Sequence, residues 1–340
     1  MFVIYHSSDT FASVTGVSML SLFKNNKGMD EIHVLYIEHG LTDDNKTKLM
    51  EIADQYGRTL EFMPMPNWSE RLNIELKSSK KAWLGFGYNR LFLTEYLPEN
   101  IDRVLYLDSD TVIEGNLDEL WNLDLDGYYL AGVDDCLSSK YRDLIGLSDS
   151  DTYCNSGVLL INVKKWRENN IVKSFIEAIV KNNGYFVFNE QSLINSVLGG
   201  HIKVLPQKYN VNSLVYLYDY EELMKLRKPH EFSYSRDEFY EARNNPIITH
   251  YTGNFYVDRR PWIEKSDHPH KQVYSDYYAM TPWRNESLTI DRRGLIKKFC
   301  SALFHFLPRK VMISTVSCLY NYIRPILLQK RKNRIQEGMR

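Results

Sequence analysis

Cysteine is scarce in this chain and forms no recognisable pattern. The four cysteines, Cys136, Cys154, Cys300 and Cys318, are far apart and show none of the paired spacings that bind zinc. Neither a structural zinc site nor a disulfide framework is therefore expected, and a reducing cytoplasm fits this composition.

The sequence also lacks targeting, repeat and dinucleotide-binding patterns. The N-terminus, MFVIYHSSD, has neither a basic segment nor a long apolar one, so it predicts a first strand and not a secretory signal. No G-x-G-x-x-G follows this strand, which disfavours a dehydrogenase-type dinucleotide fold. Residues 295–328 are apolar with basic punctuation, but no uncharged run there reaches the roughly 20 residues that a spanning helix needs.

The small net charge conceals an uneven distribution. The 340 residues carry a net charge of −1. Residues 291–340 hold twelve basic and two acidic residues, so they carry +10 and the other 290 residues carry −11. We therefore predict a body of residues 1–290 and a basic, helical extension of residues 291–340. Such an extension indicates an anionic surface as a partner, and the alternative is a small helical addition packed on the body.

Short apolar runs alternate with helical patterns in the first part of the chain. Strands are predicted at 2–5, 32–37 and 59–63, with helices at 12–23 and from Thr42 to near Gly57 between them. This βαβαβ order predicts a parallel sheet with right-handed crossovers. The predicted fold class is α/β, with a Rossmann-like, mostly parallel sheet flanked by helices.

The later part of the chain gives less regular patterns. Helices are predicted over residues 82–97 and 164–181. Residues 209–217 are predicted to be irregular, and residues 259–283 to be an ordered loop region in which His268 and His270 are surface residues or acceptor contacts.

Two aspartates follow a short apolar strand, Val104 to Leu107. Asp108 and Asp110 are two residues apart, so in an extended segment their side chains point the same way. Paired carboxylates at the carboxyl end of a buried strand form a site for a hard divalent cation, at the sheet edge where α/β proteins bind ligands. The same pattern serves phosphatases of the haloacid dehalogenase type, although three candidate strands precede it here and that motif normally lies on the first.

Other polar residues could complete such a site. His250 follows a short strand and could supply an imidazole ligand, with Gly253 in the next turn. A partly buried Arg90 suits a diphosphate. Each residue also has a structural interpretation, as have the Asn155-Ser-Gly157 turn and the Glu190-Gln191 helix start.

Six blocks in order carry a resemblance to a known family. Arg90 is followed by YLDSDTVIEGNLDELW, VDD, YCNSGVLLINVKKW, NEQSLIN and ITHYTG. This order resembles glycosyltransferase family 8, from the first strand to about Trp262. The resemblance implies a GT-A fold, a UDP-sugar donor and Mn²⁺, with Mg²⁺ as the alternative ion.

The resemblance also implies roles for individual residues. It makes Asp108, Asp110 and His250 the metal ligands, with Ser109 inside the same motif. Arg90 would contact the diphosphate or the sugar, and Gly253 would approach the phosphate. The other residues would contact the donor sugar (Asn155, Gly157, Asp135) and the face of the anomeric carbon opposite the leaving group (Gln191, beside Glu190).

Three departures from the family pattern stand out. The first loop reads His6-Ser-Ser-Asp-Thr10, so Ser8 and Thr10 are the candidates for contacts with uracil and Asp9 could substitute. Glu190 stands where many bacterial members have Asp. The usual G-x-x-K-P-W becomes a longer segment ending in Arg259-Arg-Pro-Trp262, in which Arg260 could replace the Lys at the diphosphate.

These features predict a hexosyltransferase that moves galactose or glucose from a UDP-sugar to a saccharide of a bacterial surface glycan or glycoprotein, with retention. The acceptor could be lipid-linked, and no nucleic acid is expected as a partner. The expected location is the cytoplasm, with peripheral attachment to the inner face of the membrane through the extension. The alternatives are an inactive sugar-nucleotide or glycan-binding module and a phosphohydrolase.

Overall fold

The computed structural model describes residues 1–71, 73, 87–253, 260–291, 293–295, 298–299, 302 and 306–338. The strands of these residues are β1 (Phe2–Ser8), β2 (His33–His39), β3 (Thr59–Pro64), β4 (Arg103–Leu107), β5 (Thr111–Ile113), β6 (Leu130–Asp134), β7 (Cys154–Asn162), β8 (Ile202–Val204), β9 (Val211–Asn212) and β10 (Ile248–His250).

The α-helices of the same residues are α1 (Ala12–Asn25), α2 (Asp43–Gln55), α3 (Trp68–Arg71), α4 (Asp118–Trp121), α5 (Arg142–Ile145), α6 (Val163–Glu168), α7 (Ile171–Lys181), α8 (Asn189–Leu198), α9 (Ser213–Leu217), α10 (Tyr220–Arg227), α11 (Arg236–Asn244), α12 (Lys271–Tyr278), α13 (Arg309–Cys318) and α14 (Arg324–Gln336). Short 3₁₀ turns lie at Asp9–Phe11, Gly87–Leu91, Leu93–Glu95, Ser139–Tyr141, Gly199–His201 and Gln207–Tyr209, and a π-helical turn lies at Leu319–Ile323.

The central sheet has seven strands in the order β3-β2-β1-β4-β7-β6-β8. Neighbours are parallel except β7, which runs antiparallel to both β4 and β6. The fold is therefore the mostly parallel α/β sheet that the βαβαβ order predicted. Since β7 is reversed, its amino end lies beside the carboxyl ends of β4 and β6, which brings Asn155 to the edge that carries the two aspartates.

A second, three-stranded sheet has the order β5-β10-β9. Strand β5 follows β4 after only the aspartate turn, and β10 pairs with it antiparallel. This pairing holds His250 next to the aspartate turn, because His250 is opposite Thr111 in the register.

Helix α1 confirms the prediction for residues 12–23 and explains the glycine within it. A Cβ atom on Gly16 would overlap the ring of Trp283, so close packing against that buried ring requires glycine. Helix α2 begins at the predicted N-cap, since Thr42 Oγ1 accepts from Asn45 N at 3.3 Å.

Several local predictions were wrong. The described part of 82–97 is two 3₁₀ turns and not an α-helix, and the indole of Trp68 donates to the Asn89 side chain there at 2.5 Å. Residues 82–86 lie outside the described residues. Residues 164–181 form two helices, because Asn170 adopts a left-handed conformation with φ 51° between them.

Two segments expected to be irregular contain regular structure. Residues 207–217 form a 3₁₀ turn, strand β9 and helix α9, which begins where the Asn212 side chain accepts from Leu214 N at 3.0 Å. Helix α12 lies within the predicted loop region. These segments are short, and β9 is ordered by its pairing with β10, a contact that is distant in sequence.

The extension packs on the body through one side of its long helix. Met312, Ile313 and Val316 of α13 join a cluster of buried side chains from α9, α10 and α11. At the π-helical turn the Ser138 hydroxyl donates to Asn321 Oδ1 at 2.5 Å, and Asn321 Nδ2 donates to Leu226 O at 2.8 Å. The helix spanning residues 309–336 is long and apolar enough to cross a membrane. The lack of a long uncharged run in the sequence did not indicate this. In the most apolar stretch of the helix, 33% is buried inside the structure.

Candidate active site

Asp108 and Asp110 lie in the turn that joins the two sheets. His250 Nε2 is 3.1 Å from Asp110 Oδ1 and 3.7 Å from Asp108 Oδ2. One ligand atom from each of the three residues lies within 4.8 Å of the others. Two carboxylates and an imidazole suit a divalent ion of the Mn²⁺ type, so the residues present fit the predicted cation.

The charges around this cluster shift its pKa values in opposite directions. Burial opposes ionisation of Asp110, but the charge and hydrogen bond of His250, together with Arg260, outweigh it and lower the pKa of Asp110. Burial likewise opposes protonation of His250, and the two aspartates outweigh it and raise the pKa of His250. The first shift favours an ionised Asp110, and the second favours a protonated His250.

Arg90 is buried beneath Asp108. Its guanidinium donates to Asp108 Oδ1 at 2.8 Å, to Gly87 O at 3.0 Å and to Ser156 O. It also stacks on the ring of Tyr106, with 4.2 Å from its carbon to the ring centroid. These contacts fix a permanent cation at the base of the site.

Arg260 provides a second cation on the opposite side of the aspartates. Its Nη1 donates to Asp110 Oδ2 at 3.1 Å, and its guanidinium lies 5.4 Å from the ring centroid of Trp262. A Cβ atom on Gly253 would be 2.8 Å from Arg260 Nη2, so glycine leaves room for this side chain. Arg259 and the other residues of 254–259 lie outside the described residues.

A cavity of about 330 Å³ opens in front of the two aspartates. Among the residues that line it, those the sequence predicted are Ser8, Thr10, Arg90, Asp108, Ser109, Asp110, Glu190 and Arg260. The unpredicted ones are His6, Ser7, Phe11, Gly87 and Tyr106.

Of the three candidate residues in the first loop, two line the cavity and one faces helix α2. Ser8 and Thr10 line the cavity, and their hydroxyl oxygens are 3.1 Å apart. Asp9 faces helix α2, where its Oδ1 accepts from the backbone and side chain of Thr42 and from Asn45 Nδ2, at 2.8 to 2.9 Å. The side chain of Asp9 therefore braces the loop and does not face the cavity.

A cluster of amides adjoins the aspartates. Asn155 Nδ2 donates to Asp135 Oδ1 at 3.2 Å, and Gln191 Nε2 donates to Asp135 Oδ2 at 2.9 Å. Burial raises the pKa of the Asp135 carboxyl, although these amides and the charge of Arg227 oppose the shift. The structure thus joins two of the residues predicted at the donor sugar, Asn155 and Asp135, to the one predicted at the anomeric carbon, Gln191.

Glu190 and Gln191 begin helix α8 and face different partners. Glu190 lines the cavity, 4.0 Å from Arg90, and burial raises the pKa of its carboxyl against the attraction of Arg90. Gln191 Oε1 accepts from the backbone N–H of Ser156 at 3.2 Å. The adjacent positions therefore serve the charged cavity and the amide cluster respectively.

Gly157 lies where the two groups of residues meet. Its carbonyl oxygen accepts from Asp108 N at 2.7 Å. A Cβ atom here would collide with the ring of His250 and lie 2.9 Å from Asp108 Oδ2. Glycine is required at this position because the side chains of His250 and Asp108 approach the backbone.

The two histidines of the H-x-H pair contact other segments of the fold. His268 is buried and its Nε2 lies 3.0 Å from Ser213 Oγ. His270 is partly exposed, its Nε2 lies 3.0 Å from Glu114 Oε1, and its ring stacks on Tyr216. The surface assignment was therefore wrong for His268, and the pair ties the segment before α12 to the start of α9 and to the residue that follows β5.

The sequence prediction missed Asn210 and Asn212. Asn210 Nδ2 donates to Asn155 Oδ1 at 3.0 Å, and Asn212 Nδ2 donates to Asp135 Oδ1 at 3.4 Å. The Asn-Val-Asn spacing places both side chains on one side of an extended segment, and that signal could have identified them.

The sequence and the fold are both similar to those of known proteins. The sequence profile described as Glycosyl transferase family 8 matches residues 2–265. The chain is 26% identical to General stress protein A of Bacillus subtilis (strain 168), over 83% of this chain and 94% of that protein. It is 25% identical to the lipopolysaccharide 1,2-glucosyltransferase of Escherichia coli (strain K12), over 84% of this chain and 79% of that protein.

Solved structures show the same fold. An active-site mutant of LgtC superimposes with a TM-score of 0.68 at 23% identity, covering 84% of this chain and 99% of LgtC. The galactosyltransferase LgtC in complex with donor and acceptor sugar analogs gives a TM-score of 0.67 at 24% identity, with the same coverage of both chains. The profile match over most of the chain, together with this GT-A fold, shows that the protein belongs to glycosyltransferase family 8.

Proposed function

We propose that this protein is a retaining hexosyltransferase that moves galactose or glucose from a UDP-sugar to a saccharide acceptor with the help of Mn²⁺. The observation that carries the proposal is the combination at one sheet edge. Asp108, Asp110 and His250 form a cation site, Arg90 and Arg260 flank it, and the Asn155–Asp135–Gln191 cluster lies alongside.

The cation site would hold Mn²⁺, or Mg²⁺, through the two aspartates and His250. When bound, the ion would neutralise charge that develops on the leaving diphosphate. Arg90 and Arg260 add positive charge on either side of the same position, and Ser8 and Thr10 offer hydroxyls to the uracil end of the cavity.

The amide cluster would hold the sugar. In the transfer step the acceptor oxygen forms a bond to the anomeric carbon, and the bond from that carbon to the UDP oxygen breaks. The acceptor proton passes to the departing phosphate oxygen, on the same face, so the product is an α-linkage. The Gln191 side chain is a weak nucleophile, and we propose that its oxygen stabilises positive charge on the sugar ring.

Two relatives support the substrate class without choosing within it. One is called a lipopolysaccharide 1,2-glucosyltransferase and another a galactosyltransferase. We propose a surface glycan, lipid-linked or on a glycoprotein, as the acceptor, contacted by segments within residues 64–80, 209–245 and 259–283.

The decisive experiment measures UDP release from UDP-galactose and UDP-glucose, with Mn²⁺ or with a chelator. Without an acceptor, we expect slow UDP release from one of the two donors by hydrolysis. A saccharide acceptor should make UDP release faster, because the sugar is then transferred, and the chelator should abolish release in both cases. Binding of UDP without release would instead indicate an inactive binding module. Release of phosphate from simple esters, with no UDP, would indicate a phosphohydrolase and contradict the proposal.

We further propose that the enzyme works at the cytoplasmic face of the membrane and docks there through its extension. Val311, Ile326 and Leu327 are exposed on the long helix, and the exposed Lys330 and Arg334 follow them. Apolar side chains beside cations fit an anionic bilayer surface. The packed side of the helix favours a surface position over a spanning one.

Sedimentation with phosphatidylcholine vesicles, with and without phosphatidylglycerol, tests this docking. We expect pelleting with anionic vesicles only, weakened by salt and by Leu327→Ser. The matched control Val180→Ser alters an exposed apolar residue on the body and should pellet normally. Failure of the wild type to pellet with anionic vesicles would contradict membrane docking, and extraction only by detergent would indicate a spanning helix instead.

A further inference from the structure

The amide groups between the metal ligands and the sugar cluster have orientations that their partners determine. Asn155 Oδ1 accepts from the backbone N–H of Gly157 at 2.9 Å, and Asn155 Nδ2 donates to the Asp135 carboxylate. A backbone N–H can only donate and a carboxylate can only accept. The oxygen and nitrogen of the Asn155 side chain are therefore assigned without ambiguity.

This assignment fixes the next amide as well. Asn210, which is 1% exposed, has one side-chain atom 3.0 Å from Asn155 Oδ1. That atom must be the Nδ2 donor, so the oxygen of Asn210 is the atom 3.0 Å from His250 Nδ1. Since this oxygen can only accept, a neutral His250 carries its proton on Nδ1.

The opposite ring nitrogen is then left with its lone pair. His250 Nε2 is the atom that faces both Asp108 and Asp110. Hydrogen-bonding partners that hold the far nitrogen of a metal-binding histidine are known to set its tautomer and ring orientation. Asn210 stands in that position here.

Asn210 is also hydrogen-bonded to the amide cluster, since its Nδ2 donates to Asn155 Oδ1. Through Asn155 it connects to Asp135, and through Asp135 to Gln191 Nε2. A continuous run of hydrogen bonds therefore joins a metal ligand to the residue proposed at the anomeric carbon. Asn210 is the link in that run between the charged and the amide groups.

We propose that Asn210 is a positioning residue with two separable tasks. Its oxygen sets His250 for the cation, and its nitrogen holds Asn155 toward the donor sugar. This inference rests on the proposed function, since it needs both a cation and a sugar at this site.

Two substitutions separate the tasks. Asn210→Leu removes both hydrogen bonds, whereas Asn210→Asp still accepts from His250 Nδ1 but cannot donate to Asn155. The matched control is Asn26→Leu, because Asn26 is also a buried amide whose nitrogen donates and whose oxygen accepts, in both cases with backbone atoms. Asn26 does not line the cavity. Circular dichroism and thermal melting would establish that each variant folds.

The first readout is Mn²⁺ affinity, measured by calorimetry or electron paramagnetic resonance without any donor. We expect Asn210→Leu to weaken Mn²⁺ binding roughly 10- to 100-fold, while Asn210→Asp and Asn26→Leu stay near the wild type. The second readout is kcat at saturating Mn²⁺ and donor, which should fall in both Asn210 variants and not in Asn26→Leu.

Each result has a definite meaning. Wild-type Mn²⁺ affinity in Asn210→Leu would overturn the first task, and wild-type kcat in Asn210→Asp would overturn the second. If Asn210→Leu does not fold, loss of Mn²⁺ binding in Asn210→Asp would overturn the first task in its place. A wild type that binds neither Mn²⁺ nor Mg²⁺ would contradict the proposed function itself, and that failure is distinct from the others.

Discussion

Two groups of residues at this edge of the sheet, the charged side and the amide side, are built from different chemistry. The side of Asp108, Asp110 and Arg260 holds its residues by opposite charges, each carboxylate paired with a guanidinium. The side of Asn155 and Gln191 holds its residues by neutral amides around a single carboxylate, Asp135.

The difference appears in how burial affects each side's carboxylate. Asp110 is partly buried, yet its pKa is lowered, since His250 and Arg260 outweigh desolvation. Asp135 is also partly buried, but its pKa is raised, because desolvation outweighs its amide donors and Arg227. A charged ligand such as a metal diphosphate suits the first side, and a neutral sugar with hydroxyl groups suits the second.

The largest expected effect comes from removing a charge on the first side. Asp110→Asn removes the charge of a proposed metal ligand that also pairs with His250 and Arg260, so we expect transfer to fall on the order of 10³-fold. Steady-state UDP release at rising Mn²⁺ concentrations measures it. Asp143→Asn, at an exposed position, serves as control. Full activity of Asp110→Asn would show that the charged side does not bind the metal.

A smaller and different effect is expected on the amide side. Gln191→Ala leaves Asp135 Oδ2 without its amide donor, so we expect kcat to fall roughly 10- to 100-fold. The affinities for UDP and Mn²⁺ should not change, because Gln191 is hydrogen-bonded to Asp135 and Ser156 and not to the charged side. Calorimetry with UDP and Mn²⁺ checks this point. A weaker UDP affinity in this variant would show that the two sides are not separate.

Arg260 tests whether shape or only charge matters on the first side. Arg260→Lys keeps the charge and loses the fork, whereas Arg260→Ala loses both. We expect the donor KM to rise roughly tenfold in the alanine variant and less in the lysine variant. Donor titrations at saturating Mn²⁺ measure the change. Equal KM values in the wild type and the alanine variant would remove Arg260 from the diphosphate site.

The charged side was the easier one to predict from the sequence. Asp108 and Asp110 directly follow an apolar strand. This local pattern predicts that both side chains point the same way and that their carboxylates bind a cation. The parallel sheet was predictable for the same reason, because strand and helix periods alternate within short windows. His250 is 140 residues from Asp110. Its chemistry made it a candidate ligand, and the family resemblance assigned it to the same site.

The amide side could not be predicted from local patterns. Asp135, Asn155, Gln191 and Asn210 come from four separate segments, and their hydrogen bonds exist only once β7 runs antiparallel between β4 and β6. Asp9 shows the converse problem. An acidic side chain in a short loop next to a strand end can face the cleft or the next helix. Asp9 faces α2 because the Thr42 backbone N–H and the Asn45 side chain donate to it.

The smallest effect concerns stability and extends the comparison to the two buried histidines. His250 lies among carboxylates, whereas His268 contacts a hydroxyl and accepts at Nδ1 from His270 N. Burial, with His270 nearby, lowers the pKa of His268 to about 4. The unfolded chain therefore binds a proton near pH 6.5 that the folded chain refuses, so stability falls as pH drops from 7 toward 4. Between pH 7 and pH 5 this amounts to about 2 kcal/mol of unfolding free energy.

Urea unfolding at both pH values should show that His268→Asn loses less stability than the wild type, whereas the exposed His230→Asn should match the wild type. An equal loss in His268→Asn would mean that the neutral surroundings of this histidine do not exclude its proton.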